Sequence, residues 1–143
     1  MVLVAKDILE KDFLSMPADT TLFQAAQEMK TSRHGFVIVA NNEGKAVGIV
    51  TEWDILSKVV AEGKDPRDVK LAELMTRDLI TVEPEVGIDE LSQFMATKGI
   101  RRVVVVDDGS VLGIITARTV LGRLKEYVDM VSSQVARLHG PTR

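Results

Sequence analysis

The sequence predicts a mixed α/β (α+β) fold made of two β-α-β-β-α units, which a pseudo-twofold axis relates, and an extended C-terminal helix. Three observations support this prediction. The chain repeats itself over roughly residues 7–121, each copy alternates β-rich runs with helically spaced apolar residues, and a further apolar helical pattern follows the second copy. With 143 residues and 45% apolar side chains, the chain is large enough to form a packed core.

The internal repeat is visible as matching residues at equal spacing. Residues 14–39 align on residues 80–105 without a gap, and one deletion then aligns Thr51 with Thr116. A unit of this size is too small to bury its own sheet well, so we expect the two copies to share one interior.

Each unit has the same order of elements. In the first unit we predict a helical lead-in over 5–9, a strand over 13–16, a helix through Leu22, Ala25, Ala26 and Met29, a hairpin of strands 36–39 and 46–50, and a closing helix from Thr51. In the second unit the same elements fall on 71–75, on 79–82, on Ile88, Leu91, Phe94 and Met95, on 103–106 and 111–115, and on Thr116 onwards. The strands carry continuous rather than alternating β-branched residues, which favours a sheet covered on both faces.

The repeat also sets the predicted domain limits. The first unit with its lead-in spans 1–63, a link spans 64–70, the second unit spans 71–124, and the helix extension and tail span 125–143. The link is charged and contains Pro66, as connecting segments often do.

The composition excludes several classes of function. The chain has no cysteine, which excludes disulfides, thiolate nucleophiles and cysteine-ligated zinc, and only His34 and His139 supply imidazole, so we expect no metal site. A net charge of −3 argues against nucleic acid as a partner. We find neither a signal-peptide core nor an apolar run of membrane length, which predicts a cytoplasmic protein without membrane contact.

The second hairpin strand of each unit ends in a motif that resembles a known family. Gly48-Ile-Val-Thr-Glu-Trp-Asp54 is similar to the Gly-hydrophobic-hydrophobic-Thr-x-x-Asp motif of tandem CBS (cystathionine-β-synthase) domains, also called Bateman modules. The second copy, Gly113-Ile-Ile-Thr-Ala-Arg-Thr119, has threonine where the family has aspartate. Leu74-Met-Thr-Arg-Asp78 and Gly99-Ile-Arg-Arg-Val103 also resemble the family, and the resemblance covers about four fifths of the chain.

The resemblance implies that an adenine ligand binds between the two units. AMP is the preferred ligand, ADP, ATP and S-adenosylmethionine are alternatives, and no catalytic cofactor is expected. Aspartate can accept hydrogen bonds from both ribose hydroxyls, and a threonine hydroxyl beside backbone N–H groups at a helix start suits phosphate. Leu79 and Ile80 would enclose the adenine. The nucleotide site is assigned to Ile49, Thr51, Asp54, His34, Thr76, Arg77, Leu79, Ile80, Ile100 and Arg101.

Several of these residues have a purely structural alternative. Thr51 and Asp54 can form an acidic capping box, a role that can coexist with ligand binding. His34 can be a hydrogen-bonded imidazole, and Arg101 with its neighbour Arg102 can form a solvated strand edge.

A second, weaker site is predicted by the same symmetry. It is assigned to Leu14, Ser15, Arg33, Ile114, Thr116 and Thr119. Because Thr119 replaces the aspartate of the motif, we expect this site to bind weakly or to stay empty.

The C-terminal helix carries an apolar seam that predicts a homodimer. The seam runs four and three residues apart through Ala117, Leu121, Leu124, Val128, Val131, Val135 and Leu138, and Gly140-Pro141 ends it. A seam of three heptads outlasts the surface of one small domain, so we expect it to pack on a second copy, parallel or antiparallel. Trp53, the only tryptophan, either contacts the ligand or packs against a neighbouring repeat or subunit.

Three functions remain to be compared. The first is a stand-alone regulatory sensor in which the bound nucleotide changes the angle between the units and an unknown partner protein detects the change. The second is a non-catalytic scaffold dimer whose nucleotide site is vestigial. The third is an enzyme, which the sequence does not favour because we find no activated nucleophile, metal-ligand spacing or Gly-rich phosphate loop.

Overall fold

The first repeat forms a three-stranded sheet with helices packed on it. The computed structural model describes residues 3–139. The elements are α1 (Ala5–Ile8), β1 (Leu14–Pro17), α2 (Leu22–Ser32), β2 (Phe36–Ala40), β3 (Ala46–Thr51) and α3 (Glu52–Ile55), which continues as a π-helical segment over Leu56–Val60. β1 pairs in parallel with β2, and β2 pairs antiparallel with β3.

The second repeat builds the same sheet again. After a 3₁₀ turn (Pro66–Asp68) come α4 (Leu71–Leu74), β4 (Thr81–Val82), α5 (Ile88–Lys98), β5 (Arg102–Asp107), β6 (Ser110–Thr116) and α6 (Ala117–His139). β4 pairs in parallel with β5, and β5 pairs antiparallel with β6. The predicted mixed α/β fold of two equivalent units with a long C-terminal helix is confirmed.

Local sequence signals explain where α2 and α5 begin and end. Thr21 caps α2, because the N–H of Gln24 donates to the Thr21 hydroxyl over 3.2 Å and the Gln24 side chain accepts from the Thr21 N–H over 3.3 Å. α2 ends at Arg33 and α5 ends at Gly99, both in the left-handed conformation that stops a helix. Leu22, Ala25 and Met29 of α2 and Leu91 and Met95 of α5 are buried against their own sheets, as the helical spacing predicts. Phe94, which was predicted on the same face of α5, is exposed.

The two sheets meet face to face and share an apolar interior. Ile38 of β2, Val104 of β5 and Ile114 of β6 are almost completely buried there. Each sheet is therefore covered by helices on one face and by the other sheet on the opposite face. This double burial accounts for strands that are continuously apolar.

The two lead-in helices are exchanged between the repeats. α1 packs into the core of the second repeat, where the Ala5 N–H donates to the Val86 carbonyl over 2.8 Å. α4 packs into the core of the first repeat, where the Leu71 N–H donates to the Thr20 carbonyl over 2.9 Å. Each repeat thus completes its core with a segment that precedes the other repeat in the sequence.

The strand that opens the second repeat is shorter than the sequence predicts. β4 holds only Thr81 and Val82, whereas the prediction began it at Leu79. The Leu79 N–H turns back to the Arg77 carbonyl over 3.0 Å, which withdraws it from strand pairing. Leu79 therefore leaves the strand and packs into the interior shared by the two sheets, whereas Ile80 packs on the core of its own repeat and its carbonyl accepts from the Val104 N–H over 2.9 Å.

The C-terminal helix leaves the body of the molecule. Every residue from 121 to 138 of α6 is exposed, including Leu124, Val128 and Leu138 of the apolar seam. The predicted end of this helix at Gly140-Pro141 lies outside the described residues. Within residues 3–139, no helix combines the length and the apolar character needed to cross a membrane.

Candidate functional site

Two clefts lie between the repeats, one on each side of the pseudo-twofold axis. The first has a volume of about 330 Å³ and is formed by the β3–α3 junction of the first repeat facing the start of the second repeat. The second has a volume of about 460 Å³ and is formed by the β6–α6 junction facing the start of the first repeat. Both volumes fall in the range of small-ligand pockets.

Thr51 and Asp54 form the predicted capping box at the start of α3. The Asp54 N–H donates to the Thr51 hydroxyl oxygen over 3.2 Å. Asp54 Oδ2 accepts from the Thr51 N–H over 2.9 Å and from the Thr51 hydroxyl over 3.1 Å. The box fixes the carboxylate at the inner end of the first cleft, so its structural role is compatible with a role in ligand binding.

The second oxygen of the same carboxylate is held by a lysine. Asp54 Oδ1 lies 3.1 Å from Lys58 Nζ, and Lys58 also donates to the Leu74 carbonyl over 2.9 Å. Asp54 is only 6% exposed, whereas the lysine side chain is 46% exposed. The Lys58 side chain can therefore move into solvent and free Oδ1 for another donor, while the buried Asp54 carboxylate stays in the cleft.

The far wall of the first cleft comes from the second repeat. The N–H of Ile49 donates to the Thr76 carbonyl over 3.0 Å, and the N–H of Thr76 donates back over 2.9 Å, which pins this segment against β3. Leu79, Ile80 and Ile100 are half-buried and line the cleft, where they present apolar surface. This wall suits one flat, apolar face of a ligand.

Two adjacent arginines line the outer part of the first cleft. Arg101 is exposed, whereas Arg102 is half-buried, with its guanidinium carbon 4.8 Å from the centre of the Phe36 ring. Burial lowers the pKa of Arg102, with nearby Glu52 raising it and Arg101 lowering it. The Arg102 guanidinium remains charged at neutral pH despite this lowering of its pKa, because arginine starts from a very high pKa.

Eight of the ten residues assigned to the first site line the first cleft. They are Ile49, Thr51, Asp54, Thr76, Leu79, Ile80, Ile100 and Arg101. Arg77 does not line it, and His34 lies in the second cleft instead. The repeat symmetry explains the position of His34. This residue aligns with Ile100 of the second repeat, and Ile100 lines the first cleft while His34 lines the second.

His34 is held by backbone carbonyls in the second cleft. Its Nδ1 lies 3.0 Å from the Ser32 carbonyl oxygen, and its Nε2 lies 2.9 Å from the Asp12 carbonyl oxygen. Both ring nitrogens therefore face acceptors of the protein. This is the hydrogen-bonded alternative that the sequence left open for His34.

Three of the six residues assigned to the second site line the second cleft, namely Arg33, Ile114 and Thr116. Leu14, Ser15 and Thr119 do not line it. Leu14 and Ser15 instead belong to β1, where they pair with Val37 and Ile38. The Thr119 hydroxyl contacts Thr116 and donates to Glu10 Oε1 over 2.9 Å.

The sequence prediction missed several residues of the two clefts. Asp78 and Val104 line the first cleft but were not assigned to it. Trp53, for which the sequence left contact with the ligand open, also lines this cleft and is 70% exposed. Glu10, Asp12 and Arg118 line the second. The internal alignment contained the signal for Glu10, because this residue aligns with Thr76, which was assigned to the first site.

The fold and its clefts define a paired-repeat domain with ligand-sized spaces between the repeats. The family model for the CBS domain matches residues 5–61 and again residues 71–126. The chain belongs to the CBS domain family, and the resemblance noted in the sequence is confirmed.

Relatives and solved structures agree with this assignment. An uncharacterized protein of Methanopyrus kandleri is 34% identical over 116 residues, which are 80% of this chain and 59% of that protein. A CBS domain pair in complex with 5′-methylthioadenosine and S-adenosyl-L-methionine is 31% identical, with a TM-score of 0.74 over 88% of this chain and 98% of that one. A hexameric CBS-CP12 protein from bloom-forming cyanobacteria is 30% identical, with a TM-score of 0.73 over 100% of this chain and 78% of that one.

The chain matches only part of most curated relatives. It spans 59% of the Methanopyrus protein, and only 26% of an inosine-5′-monophosphate dehydrogenase from Methanocaldococcus jannaschii. The paired repeat thus also occurs inside larger proteins that include enzymes.

Proposed function

We propose that this chain is a non-catalytic regulatory module that binds an adenine nucleotide, preferably AMP, in the first cleft. The observation that carries the proposal is the position of Asp54, a buried carboxylate fixed by Thr51 at the inner end of a cleft between two repeats. The solved CBS domain pair with bound 5′-methylthioadenosine and S-adenosyl-L-methionine supports an adenine-containing ligand.

The ribose would bind at Asp54. The hydroxyls of the ribose are donors, and a carboxylate has about four acceptor positions. Oδ2 already accepts two hydrogen bonds from Thr51, so the ribose would bind mainly to Oδ1 and displace Lys58 from it. Ligand binding therefore exchanges a partly exposed ion pair, which contributes little stability, for hydrogen bonds in a desolvated cleft.

The adenine and the phosphate would bind farther along the same cleft. Leu79, Ile80 and Ile100 offer apolar surface to the base. Arg101 and Arg102 offer planar groups with several donors, which suit phosphate oxygens. A volume of about 330 Å³ lies at the low end for ligand pockets, which favours a monophosphate over a triphosphate.

Regulation follows from the position of the cleft between the repeats. A ligand that contacts Asp54 of one repeat and Ile80 of the other stabilises one relative arrangement of the two. If a partner protein binds this arrangement more tightly, the nucleotide raises the affinity for the partner, and the partner raises the affinity for the nucleotide by the same factor.

Calorimetric titration with AMP, ADP, ATP and S-adenosylmethionine tests the proposed function, with GMP as the control for base recognition. We expect AMP to bind most tightly and GMP to bind at least tenfold more weakly, because guanine carries one more exocyclic group than adenine into a cleft of only about 330 Å³. If none of the adenine ligands binds at millimolar concentration, the proposal is wrong and the scaffold function takes its place.

We further propose that α6 mediates a homodimer. Its apolar seam, formed by Leu121, Leu124, Val128, Val131, Val135 and Leu138, is exposed along its whole length in the single chain. An uncovered helix of this kind is only marginally stable in water, whereas burying its seam against a second copy stabilises it. The same seam supports the second candidate function, a scaffold dimer.

A charge placed in the seam should separate the dimer. We expect Val128→Glu to shift the protein from dimer to monomer, because two buried carboxylates would face apolar side chains without partners. Lys125→Glu changes the charge of a neighbouring exposed residue outside the seam and is the matched control. Light scattering after size-exclusion chromatography measures the mass, and a monomeric wild type would overturn this proposal.

A further inference from the structure

The segment that follows α1 lines the second cleft and carries the carboxylate of Glu10. The Glu10 N–H donates to the Ile114 carbonyl over 2.8 Å, and the Ile114 N–H donates to the Glu10 carbonyl over 2.9 Å. This two-way pair is the counterpart of the pair between Ile49 and Thr76 in the first cleft. The backbone of Glu10 is thus fixed in the wall of the second cleft, which it lines.

The side chain of Glu10 meets the residue that replaces the aspartate of the motif. The Thr119 N–H donates to Thr116 Oγ1 over 3.1 Å, the two hydroxyl oxygens are 2.9 Å apart, and the Thr119 hydroxyl donates to Glu10 Oε1 over 2.9 Å. In the first cleft, Thr51 contacts the carboxylate of its own motif directly. In the second cleft, the equivalent threonine reaches a carboxylate through Thr119.

The carboxylates of Asp54 and Glu10 differ in their burial and in the partners that they already have. Asp54 is buried and paired with Lys58. Glu10 is exposed, and within residues 3–139 it forms no salt bridge and its Oε2 accepts no hydrogen bond. A ligand hydroxyl can therefore bind to Oε2 without displacing a cation of the protein.

We propose that Glu10 supplies the carboxylate that the motif lacks at Thr119 and accepts a ribose hydroxyl in the second cleft. The inference rests on the proposed function of the first cleft, because it assigns to Glu10 the ribose-binding role that is proposed there for Asp54. Arg33 and Arg118 line the same cleft and supply cations for a phosphate. The missing aspartate at Thr119 then does not leave the site empty, because the carboxylate comes from a residue 109 positions earlier in the chain.

Calorimetry on variants in which the first cleft is disabled tests this role. AMP is titrated into Asp54→Ala, into the double variant Asp54→Ala with Glu10→Gln, and into the control Asp54→Ala with Glu43→Gln, which changes an exposed glutamate outside both clefts. Glutamine keeps an oxygen for Thr119 but has no charge, so a merely structural role of Glu10 would survive the change. Asp54→Asn is the second variant for disabling the first cleft, and circular dichroism verifies the fold of each protein.

The expected result is two AMP per chain for the wild type and one for Asp54→Ala. Glu10→Gln in that background should weaken the remaining site about tenfold, while Glu43→Gln leaves it unchanged. The titration is repeated with 2′,3′-dideoxyadenosine monophosphate, which lacks both ribose hydroxyls. Asp54→Ala should prefer AMP to this analogue, and the preference should disappear with Glu10→Gln.

Other outcomes overturn the inference in distinguishable ways. A remaining site in Asp54→Ala that is indifferent to Glu10→Gln overturns the role of Glu10, and the proposed function stands. One AMP per wild-type chain and none for folded Asp54→Ala overturns the second site, and the proposed function again stands. A wild type that binds no adenine nucleotide overturns both.

Discussion

Replacing Asp54 by alanine should weaken AMP binding to the first cleft by about 100-fold. Hydrogen bonds to charged groups are each worth about 1.5–3 kcal/mol, and one bond near the upper end already corresponds to this factor. A second carboxylate, Asp78, lines the same cleft but is exposed, whereas Asp54 is buried and fixed by two hydrogen bonds from Thr51, so Asp78 should not take over its role. Isothermal titration calorimetry of the site measures the change.

The same substitution removes the capping box of α3, so its control must separate stability from binding. Gln24→Ala removes the equivalent side chain from the capping box of α2, away from both clefts. Each substitution should cost about 1 kcal/mol of unfolding free energy, but only Asp54→Ala should lose affinity. A folded Asp54→Ala protein with wild-type affinity at both clefts would contradict the role of this aspartate.

Gly113→Ala should destabilise the fold by about 2–3 kcal/mol. A Cβ atom at this position would lie 2.6 Å from the Glu10 carbonyl oxygen and 2.6 Å from Leu9 Cδ1. The carbonyl oxygen cannot rotate away, because it accepts the hydrogen bond of the Ile114 N–H that holds the lead-in against β6. Overpacking against fixed atoms typically costs about 1–3 kcal/mol, and here the lead-in contact is lost as well.

Two other glycines provide controls for Gly113. A Cβ atom at Gly48 would meet the side chain of Met75, with the sulfur at 2.6 Å, and a flexible methionine can move more easily than backbone. A Cβ atom at Gly122 in α6 meets nothing within 4 Å, so Gly122→Ala should stabilise the helix by about 0.5–1 kcal/mol. Urea unfolding should give midpoints that fall from Gly122→Ala through Gly48→Ala to Gly113→Ala, and a Gly113→Ala protein as stable as the wild type would contradict the account.

The features that the sequence predicted well depend on local patterns and on the repeat. The capping box of Thr51 and Asp54 needs only their spacing, and the hairpins need only β-rich runs beside a turn. The alignment of the repeats then placed Thr76 to Ile80 opposite Asp54, where the structure has Thr76, Leu79 and Ile80 in the cleft wall.

The features that the sequence missed depend on contacts between distant segments. His34 was assigned to the first cleft because a sequence alignment does not show on which side of the axis each copy of a position falls. Leu79 was predicted as strand, but a turn towards Arg77 withdraws it from pairing. Glu10 lies outside the motif, and only the exchange of the lead-in segments brings its carboxylate to Thr119.

The central claim is that an adenine nucleotide binds between the repeats at Asp54. A crystal structure of the protein grown with saturating AMP tests it most directly. We predict AMP in the first cleft, with ribose hydroxyls about 3 Å from the Asp54 carboxylate, Lys58 displaced from Oδ1, and adenine against Leu79 and Ile80. A first cleft without nucleotide, with Lys58 still bound to Asp54, would contradict the claim.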